Sequence, residues 1–390
     1  MRDRNSLRIC IVLPVHWRAF MGGAQYQAKF LIERLIEAKT FETFYLAKRI
    51  APAYAPSGYR VQAIGGSRIG AWLGVPADGL SLYRTLKQVN PDVVYQRVGG
   101  AYTGVCAHYA RQYGRRMIWH VAHDKDLVPG GHLVSNRPVA GYLDGALLEY
   151  GIRHAGQIVT QTKTQAALLA SNYGREADAV IPNFHPAPTE ELNKDGAMTV
   201  VWIGNMKVWK RPEVFIDMAR DLSQMTSGSD MRFVVIGAPA QNRQRQLRLV
   251  ESMGSVPNLM YKGAVGQEEV NEILASAHIL VNTSQYEGFS NTWIQAWMRE
   301  VPVVSLELNP DGVFDDQKVG ICAGSYDRLV KTLSELAEDR RRLDVMGKEA
   351  ARYAASHHGM ENADRLLELF EAIPQTSEVV GALRAGRNYP

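Results

Sequence analysis

The sequence predicts an α/β protein of two doubly wound domains, each a parallel sheet covered by helices, that face a central cleft. Short apolar runs alternate with amphipathic stretches along nearly the whole chain, which is typical of parallel strands buried on both faces. The alternation is interrupted by a polar, proline-rich stretch over residues 184–197 and then begins again. A length of 390 residues is enough for two such domains, whose ligand edges would line the cleft.

The first domain is predicted over residues 1–183. Residues 7–15 form a β-rich apolar run, a loop with two glycines follows, and residues 24–38 carry apolar side chains at helical spacing. Later strands are predicted at 92–96, 117–121, 157–160 and 179–181. A parallel sheet with crossover helices follows from this order.

The second domain is predicted over residues 198–355, after a linker at 184–197. Its predicted strands are 199–204, 232–237, 259–262, 278–282 and 302–306, with helices from 212, to about 253, over 267–277 and over 290–299. A C-terminal helix over 356–375 is expected to return to the first domain, and 376–390 to form a loose tail.

Composition indicates an ordinary globular protein and narrows the range of partners. The three cysteines are scattered and form no CxxC pair, so neither a disulfide framework nor a zinc site is expected, and a cytoplasmic location follows. Residues 1–190 hold 22 Lys and Arg against 13 Asp and Glu, whereas the remainder holds 22 against 27. A basic first domain suits an anionic ligand, with peripheral binding to the inner face of the membrane left open. Basic runs interleaved with aromatic residues are missing, so nucleic acid is not an expected partner.

Two motifs of the first domain could take part in chemistry. Gly22 and Gly23 precede a helix, where backbone N–H groups can approach an anion, although a flexible turn is an equal alternative. His123 follows a strand and could donate a hydrogen bond to a hydroxyl or phosphate, oriented by Asp124 or Asp126. His120, three residues earlier, is more simply explained as a buried strand residue.

Two further motifs lie in the second domain. Gly204 ends a strand, and Lys207, Lys210 and Arg211 stand just before a helix, where cations are unfavourable unless an anion bridges them. A solvated basic turn is the alternative, and the preferred one for Lys207. In the stretch YEGFSNTWIQAWM, Glu287 precedes a polar cluster that caps a helix, with Ser290 as the predicted N-cap.

These motifs, in this order, resemble those of the retaining GT-B glycosyltransferases of family 4. The resemblance runs from about residue 7 to 373 and includes the first glycine pair, the VIPN stretch at 180–183, the segment from IGN to KRP, and EGFSNTWIQAWMREVPVV. It implies two Rossmann-like domains, a nucleoside-diphosphate sugar as donor substrate, no cofactor, and transfer with retention of anomeric configuration.

The resemblance also assigns roles to residues. His123, Lys210 and Glu287 would be catalytic: His123 faces the donor sugar, Lys210 neutralises the pyrophosphate and Glu287 contacts the donor sugar. The predicted donor-binding residues are Gly22, Gly23, Gly204, Asn205, Lys210, Arg211, Gly263, Ala264, Val265, Glu287, Gly288, Phe289, Ser290, Asn291, Thr292 and Gln295. No divalent metal is expected, because Lys210 and a helix N-terminus would stabilise the leaving diphosphate.

Two positions depart from the family pattern. Asn205 stands where the family usually has an arginine, and Lys207 or Arg211 would replace it. Gln295 stands in place of the second glutamate of the E-x7-E motif, which typically binds ribose hydroxyls. Gln still makes such hydrogen bonds, and the lost charge costs about 1–2 kcal/mol.

The expected activity is sugar transfer to a saccharide or lipid-linked saccharide, in the synthesis of cell-surface polysaccharide or lipid-linked glycan. Two alternatives stay open. A sugar-nucleotide 2-epimerase or an inverting GT-B enzyme would share the two domains. A non-catalytic carbohydrate-binding protein on the same scaffold is kept open by Asn205 and Gln295.

Overall fold

The computed structural model describes residues 6–65, 78–130, 138–225 and 230–372. The chain divides into two compact units, one of Met1–Asn183 with Met360–Pro390 and one of Phe184–Gly359. The tail expected over 376–390 lies outside the described residues.

The first unit is built on a parallel sheet that has seven strands among the described residues, in the order β3-β2-β1-β4-β5-β6-β7. The strands are β1 (Leu7–Val12), β2 (Phe41–Ala47), β3 (Arg60–Ala63), β4 (Val93–Arg97), β5 (Arg116–His120), β6 (Gln157–Thr160) and β7 (Ala179–Val180). The helices before residue 184 are α1 (Gly23–Ala38), α2 (Gly79–Val89), α3 (Ala101–Gln112), α4 (Pro138–His154) and α5 (Lys163–Tyr173).

The second unit has a parallel sheet of six strands among its described residues, in the order β10-β9-β8-β11-β12-β13. The strands are β8 (Thr199–Ile203), β9 (Arg232–Ile236), β10 (Leu259–Gly263), β11 (Ile279–Asn282), β12 (Val303–Ser305) and β13 (Gly320–Cys322). The helices are α6 (Pro212–Ser223), α7 (Arg243–Gly254), α8 (Gln267–Ser276), α9 (Asn291–Trp297), α10 (Val313–Gln317), α11 (Tyr326–Glu338) and α12 (Arg340–His357). The chain then forms α13 (Glu361–Glu371), which belongs to the first unit.

Both sheets reverse their strand order beside their first strand. In the first unit β1 lies between β2 and β4, and in the second unit β8 lies between β9 and β11. Ile9 and Cys10 of β1, which point to opposite faces, are fully buried, as are Val200 and Val201 of β8, because helices cover both faces of each sheet. The predicted fold class of two doubly wound parallel sheets is therefore confirmed.

The sequence missed three strands. Strand β2 begins after a turn whose residue Lys39 has φ 58°, a left-handed conformation that glycine usually occupies, so no glycine marked the end of α1. Strand β3 is the edge strand, with no buried residue, and its apolar pattern is weak. Strand β13 has three residues, too few to show a period.

The stretch predicted to be a linker, residues 184–197, has no regular structure but is packed against the second unit. Phe184 is fully buried, and the Asn193 N–H donates to the Ala275 carbonyl at 3.1 Å. The Lys194 ammonium donates to the Ala277 carbonyl just beyond the end of α8. This stretch therefore belongs to the second unit in structure, because its backbone and side chains are bonded there.

The C-terminal helix packs on the first unit. Helix α12 runs to His357, past the predicted boundary at 355, and α13 follows it. Arg34 of α1 donates to both carboxylate oxygens of Asp364, and Phe370 packs edge-on against Tyr95 of β4. No helix of the described ranges is both long and apolar enough to span a bilayer.

Candidate functional site

Two loops of the second unit meet where its strand order reverses. Strand β8 leads into residues 204–211 and strand β11 into residues 283–290, and β8 and β11 are parallel neighbours with Val200 opposite Ile279. The carboxyl ends of parallel strands at such a switch point form a crevice that open α/β sheets use for ligands. The two strongest sequence motifs of this domain therefore lie at one edge of the sheet.

An ion pair between Lys210 and Glu287 joins the two loops. The Lys210 ammonium donates to Oε1 of Glu287, and the two side chains are 22% and 11% exposed. The same oxygen accepts from the Ser284 hydroxyl at 2.5 Å and from the Asn282 amide at 3.2 Å. The structure thus brings the two predicted catalytic residues of this unit into direct contact.

These contacts set the charge of Glu287. Burial raises the pKa of its carboxyl, but the Lys210 charge and the hydrogen bonds from Lys210, Ser284 and Asn282 together lower the pKa below its ordinary value. Glu287 is therefore ionised at neutral pH, and the loop presents a paired carboxylate and ammonium at the switch point.

Arg211 holds the two loops together. It has φ 49°, Nε donates to the Thr283 carbonyl at 2.6 Å, and Nη1 donates to Glu307 at 2.9 Å. The Thr283 hydroxyl in turn donates to the Lys210 carbonyl at 2.6 Å. The prediction that Arg211 binds donor missed this structural role. Glu287 and Glu307 place a carboxylate beside Lys210 and Arg211, which offsets these two positive charges before α6.

Aromatic residues reinforce the junction of the two loops. The Trp209 and Tyr286 rings stack with centroids 5.8 Å apart, and the Gln285 N–H donates to the Trp209 carbonyl at 2.9 Å. The Lys207 ammonium lies over the Trp209 ring, 4.9 Å from its centroid. Lys207 is exposed, in agreement with its interpretation as part of a solvated basic turn.

The polar cluster after Glu287 starts α9 as predicted, with Ser290 at the N-cap position. The Ser290 hydroxyl is hydrogen-bonded to the Thr292 hydroxyl at 2.9 Å, and its side chain makes no capping bond to the backbone. Phe289 is buried against Trp293 and Trp297, so only its backbone could contact a ligand. Gly288, Asn291 and Thr292 are half-buried.

Gln295 is buried inside the unit. It is 3% exposed, and its amide nitrogen donates to the side-chain oxygen Oδ1 of Asn271 in α8 at 3.3 Å. The sequence predicted a ribose contact at this position and gave no sign of a polar network beneath it.

The backbone around Gly204 is tightly packed. A Cβ on Gly237 would lie 1.8 Å from the Gly204 carbonyl oxygen, and the Asn205 side chain accepts from the Ala238 N–H at 3.4 Å. Gly237 has φ 157°, and a side chain there would displace the Gly204 loop. The sequence did not identify Gly237 as part of the site.

The segment expected near the donor base follows β10. Gly263 has φ 73°, a conformation that favours glycine, and its carbonyl accepts from the Gly237 N–H at 2.8 Å. Ala264 follows, and the partly buried Val265 packs against the core beside α9.

In the first unit, the glycine pair lies at the start of α1, after the first strand of the sheet. Gly22 is the N-cap with φ −118° and ψ 177°, an extended backbone open to any residue, and Gly23 begins the helix. A Cβ on Gly22 would meet Oε1 of Gln25 at 2.7 Å. The absence of a side chain, rather than an unusual turn, is therefore what Gly22 provides.

His123 lies beyond the end of β5 and is half-buried. Its Nδ1 accepts from the Lys125 N–H at 3.1 Å, so a neutral His123 carries its proton on Nε2 and can donate from there. His120 is fully buried and bonded to the Tyr95 hydroxyl at 2.8 Å, as its interpretation as a strand residue predicted.

The two acids expected to orient His123 have structural contacts elsewhere. Asp124 accepts from the Gln165 amide at 2.9 Å, and Asp126 accepts from the Gly99 N–H at 3.0 Å. Although Asp124 and Asp126 form an Asp-x-Asp triplet, the described residues contain no cluster of three His, Cys, Asp or Glu side chains that could hold a metal ion.

The sequence also missed Asn282, Thr283 and Ser284, which hold Glu287 and Arg211 in place. The available signal was a run of three polar residues that begins at the last residue of a predicted apolar strand, at the ligand edge of the sheet.

Comparison with known proteins finds a match to a family model within the second unit. Residues 197–339 match the family model of glycosyl transferases group 1. The chain is 22% identical over 178 residues to D-inositol 3-phosphate glycosyltransferase of Corynebacterium diphtheriae, covering 44% of this chain and 42% of that protein. It is 23% identical over 319 residues to GDP-mannose-dependent alpha-mannosyltransferase of Mycobacterium tuberculosis, covering 77% and 78%. The chain thus spans about two fifths of the first relative and almost four fifths of the second.

Solved structures match nearly the whole chain. Sucrose-phosphate synthase from Thermosynechococcus elongatus superposes with a TM-score of 0.74 at 12% identity, covering 94% of this chain and 98% of that one. WaaG, a glycosyltransferase involved in lipopolysaccharide biosynthesis, gives 0.73 at 13%, covering 94% and 100%. Anabaena HepE in complex with UDP-glucose gives 0.73 at 12%, covering 94% and 100%. At these identities the likeness establishes the fold, and the predicted GT-B class is confirmed.

Proposed function

We propose that the protein is a glycosyltransferase that moves a sugar from a nucleoside-diphosphate sugar to an acceptor hydroxyl, with retention of anomeric configuration. The ion pair of Lys210 and Glu287 carries this proposal. It lies at the switch point of the second sheet, inside the segment that matches glycosyl transferases group 1. A partly buried, pre-formed pair of opposite charges at a ligand edge suits a substrate with an anionic diphosphate and a hydroxyl-rich sugar.

Each charged group of the pair has a task in this proposal. Lys210 turns from Glu287 to the diphosphate, where a cation stabilises the negative charge that develops as the sugar departs. Glu287, kept ionised and held by Ser284 and Asn282, accepts hydrogen bonds from the donor sugar's hydroxyls. Backbone N–H groups of Asn291 and Thr292 add donors for the distal phosphate.

The bond changes balance without an enzyme nucleophile. The bond from the anomeric carbon to the diphosphate oxygen breaks, and the acceptor oxygen forms a new bond to that carbon on the same face. The acceptor proton passes to an oxygen of the leaving phosphate. His123 donates from Nε2 to a hydroxyl of the donor sugar, and Lys210 stabilises the leaving diphosphate without a divalent metal.

The acceptor is proposed to be a saccharide or a lipid-linked saccharide at the inner face of the membrane. The excess of basic residues in the first 190 positions supports an anionic surface as a partner. A relative named alpha-galactosylglucosyldiacylglycerol synthase, from Streptococcus pneumoniae, is 28% identical over 156 residues and covers 36% of this chain and 41% of that protein. The proposed location is cytoplasmic and peripheral to the membrane.

A panel of UDP-, GDP-, dTDP- and ADP-sugars tests the proposal, first by thermal shift and then by release of the nucleoside diphosphate. A donor that binds stabilises the folded state by mass action. Glu287→Gln is expected to reduce turnover by about 100-fold or more, whereas Glu251→Gln, an exposed glutamate on α7, is expected to leave it unchanged.

Three outcomes would contradict the proposal. Donor alone giving an epimer would favour the 2-epimerase, and an inverted product would favour the inverting enzyme. Glycan binding without any donor binding would favour the non-catalytic carbohydrate-binding protein.

A further inference from the structure

The chain passes between the two units twice, after Asn183 and after Gly359, and both passages are bonded to each other inside the second unit. The His185 N–H donates to the His358 carbonyl at 2.9 Å. The His358 ring packs 4.5 Å from the Phe289 ring and 6.1 Å from the Trp297 ring, measured between centroids. The C-terminal passage therefore lies against the two ends of α9.

The first passage is fastened to the same helix by a buried charge. Arg299, just beyond α9, is 1% exposed. Its Nη1 donates to the Gln295 carbonyl at 3.0 Å, and its Nη2 donates to Glu190 at 2.7 Å. Glu190 belongs to residues 184–197, the stretch that the sequence predicts as a linker. One guanidinium thus connects the last turn of the helix to the connecting stretch.

The contacts of Glu190 close into a ring. Asn271 of α8 is hydrogen-bonded to the Glu190 carboxylate and accepts from the Gln295 amide at 3.3 Å. Burial raises the pKa of Glu190, but its own backbone N–H, Arg299 and Asn271 together hold that pKa below its ordinary value. Glu190 is therefore an ionised carboxylate whose bonds to Arg299 and Asn271 both lead to Gln295.

The buried charge of Arg299 explains why residue 190 is a carboxylate. A fully buried guanidinium without a charged partner destabilises a fold strongly, and Gln295 supplies only neutral groups. Glu190 provides the negative charge from outside the helix. Arg299 binds the Gln295 carbonyl and Glu190 together through two different nitrogens of its planar fork, whereas a lysine has a single nitrogen.

We propose that Glu190 is a positioning residue of the donor site, which acts through Arg299 and Asn271 to fix α9 and, with it, the first turn at Ser290–Thr292. The inference rests on the proposed function in assigning that turn to the donor. The helix has two turns, so a bond at its C-terminal end constrains its N-terminal end. At about 1.5 Å per residue, Trp297 at the end of the helix lies only about 6 Å along the axis from Trp293.

The test compares Glu190→Gln with Glu191→Gln, the same change at the exposed neighbouring residue. Amide hydrogen exchange is measured first, without ligand. The Trp293 N–H, which donates to the Ser290 carbonyl at 3.2 Å, reports on the first turn. We expect its exchange to become about tenfold faster in Glu190→Gln and to stay unchanged in Glu191→Gln. Exchange that changes only near Arg299, or equally in both variants, would overturn the proposal.

A second arm uses UDP and GDP as probes, at a temperature where every variant is folded. Glu190→Gln is expected to weaken the Kd of whichever diphosphate binds by about tenfold, which corresponds to about 1.4 kcal/mol. With the matching sugar donor, KM should rise while kcat stays within about twofold of the unchanged protein. An unchanged Kd would show that Glu190 supports only the fold and would refute its role in positioning.

Two further variants serve as controls for the test, one as a mimic of Glu190→Gln and one as a rescue. Arg299→Lys keeps the charge but lacks the fork, so it should reproduce both effects of Glu190→Gln. Gln295→Glu in the Glu190→Gln background returns a carboxylate one turn from Arg299 and should restore the Trp293 exchange rate. Failure of this rescue would contradict the requirement for a carboxylate. If neither UDP nor GDP binds the unchanged protein, the proposed function fails, while the exchange measurement still decides the role of Glu190.

Discussion

The ion pair of Lys210 and Glu287 predicts an unequal response to the loss of its two charges. Lys210→Met keeps the length of the side chain and removes its charge. It leaves the Glu287 carboxylate, 11% exposed, with only the neutral donors Ser284 and Asn282. Glu287→Gln instead leaves an ammonium that is 22% exposed and can reach water. The lysine variant should therefore be the less stable of the two.

The magnitude follows from the burial of the pair. Removing one partner of a buried ion pair costs about 3–5 kcal/mol. Because Lys210 is partly exposed, we expect the lower end, about 3 kcal/mol. In a unit of this size, that loss lowers Tm by about 6–12 °C. The double variant Lys210→Met with Glu287→Gln has no uncompensated charge and should recover most of the loss, giving a coupling of about 2 kcal/mol in a double-mutant cycle.

Acidic pH should narrow the difference in unfolding free energy between the unchanged protein and Lys210→Met. The folded-state pKa of Glu287 is lowered in the unchanged protein, so its stabilisation is present above the ordinary pKa and is lost as pH falls through the folded value. Without Lys210, burial raises that pKa, so the destabilisation is full at neutral pH and fades in acid. Urea unfolding at neutral and mildly acidic pH measures both effects. Equal losses in the single and double variants would refute the reasoning.

Three more predictions concern other parts of the molecule. Gly237→Ala should destabilise by about 3 kcal/mol or more, since its Cβ would lie 1.8 Å from the Gly204 carbonyl, whereas Gly254→Ala at an open helix end should stabilise slightly; urea unfolding distinguishes them. Burial, with a smaller effect of Arg18, lowers the pKa of His16 to about 4, so stability should fall by about 3 kcal/mol from pH 6.5 to pH 4, and His16→Gln should flatten that slope. Vesicles containing phosphatidylserine should bind the protein in low salt and release it in high salt; binding indifferent to ionic strength would exclude a charge-driven surface.

The sequence predicted those parts of the fold in which local pattern and tertiary environment agree. Strand β6 was predicted with its observed bounds because its apolar run is buried between neighbours on both sides. Strand β2 was missed because Lys39 adopts a conformation that glycine usually signals. Where a residue other than glycine adopts a left-handed backbone conformation, its residue type does not indicate the turn.

The candidate site shows the same limit at the level of side chains. Glu287 and Lys210 could be identified because each stands in a loop between the end of a strand and the start of a helix. Their pairing could not, since it depends on which strands are neighbours and on how deeply each side chain is buried. Gln295 has a comparable explanation: its side chain bonds to Asn271 and is linked through it to Glu190, more than 100 positions away in the sequence.

The stacked rings of Trp209 and Tyr286 give the site a built-in optical signal. One ring belongs to each loop of the switch point, and Lys207 places a positive charge over the indole. Indole emission depends on nearby charge and on contact with water, so a ligand that separates the loops or draws Lys207 away changes the colour and intensity of that emission. The share of the emission that comes from Trp209, one of seven tryptophans, can therefore report occupancy of this crevice without an attached dye.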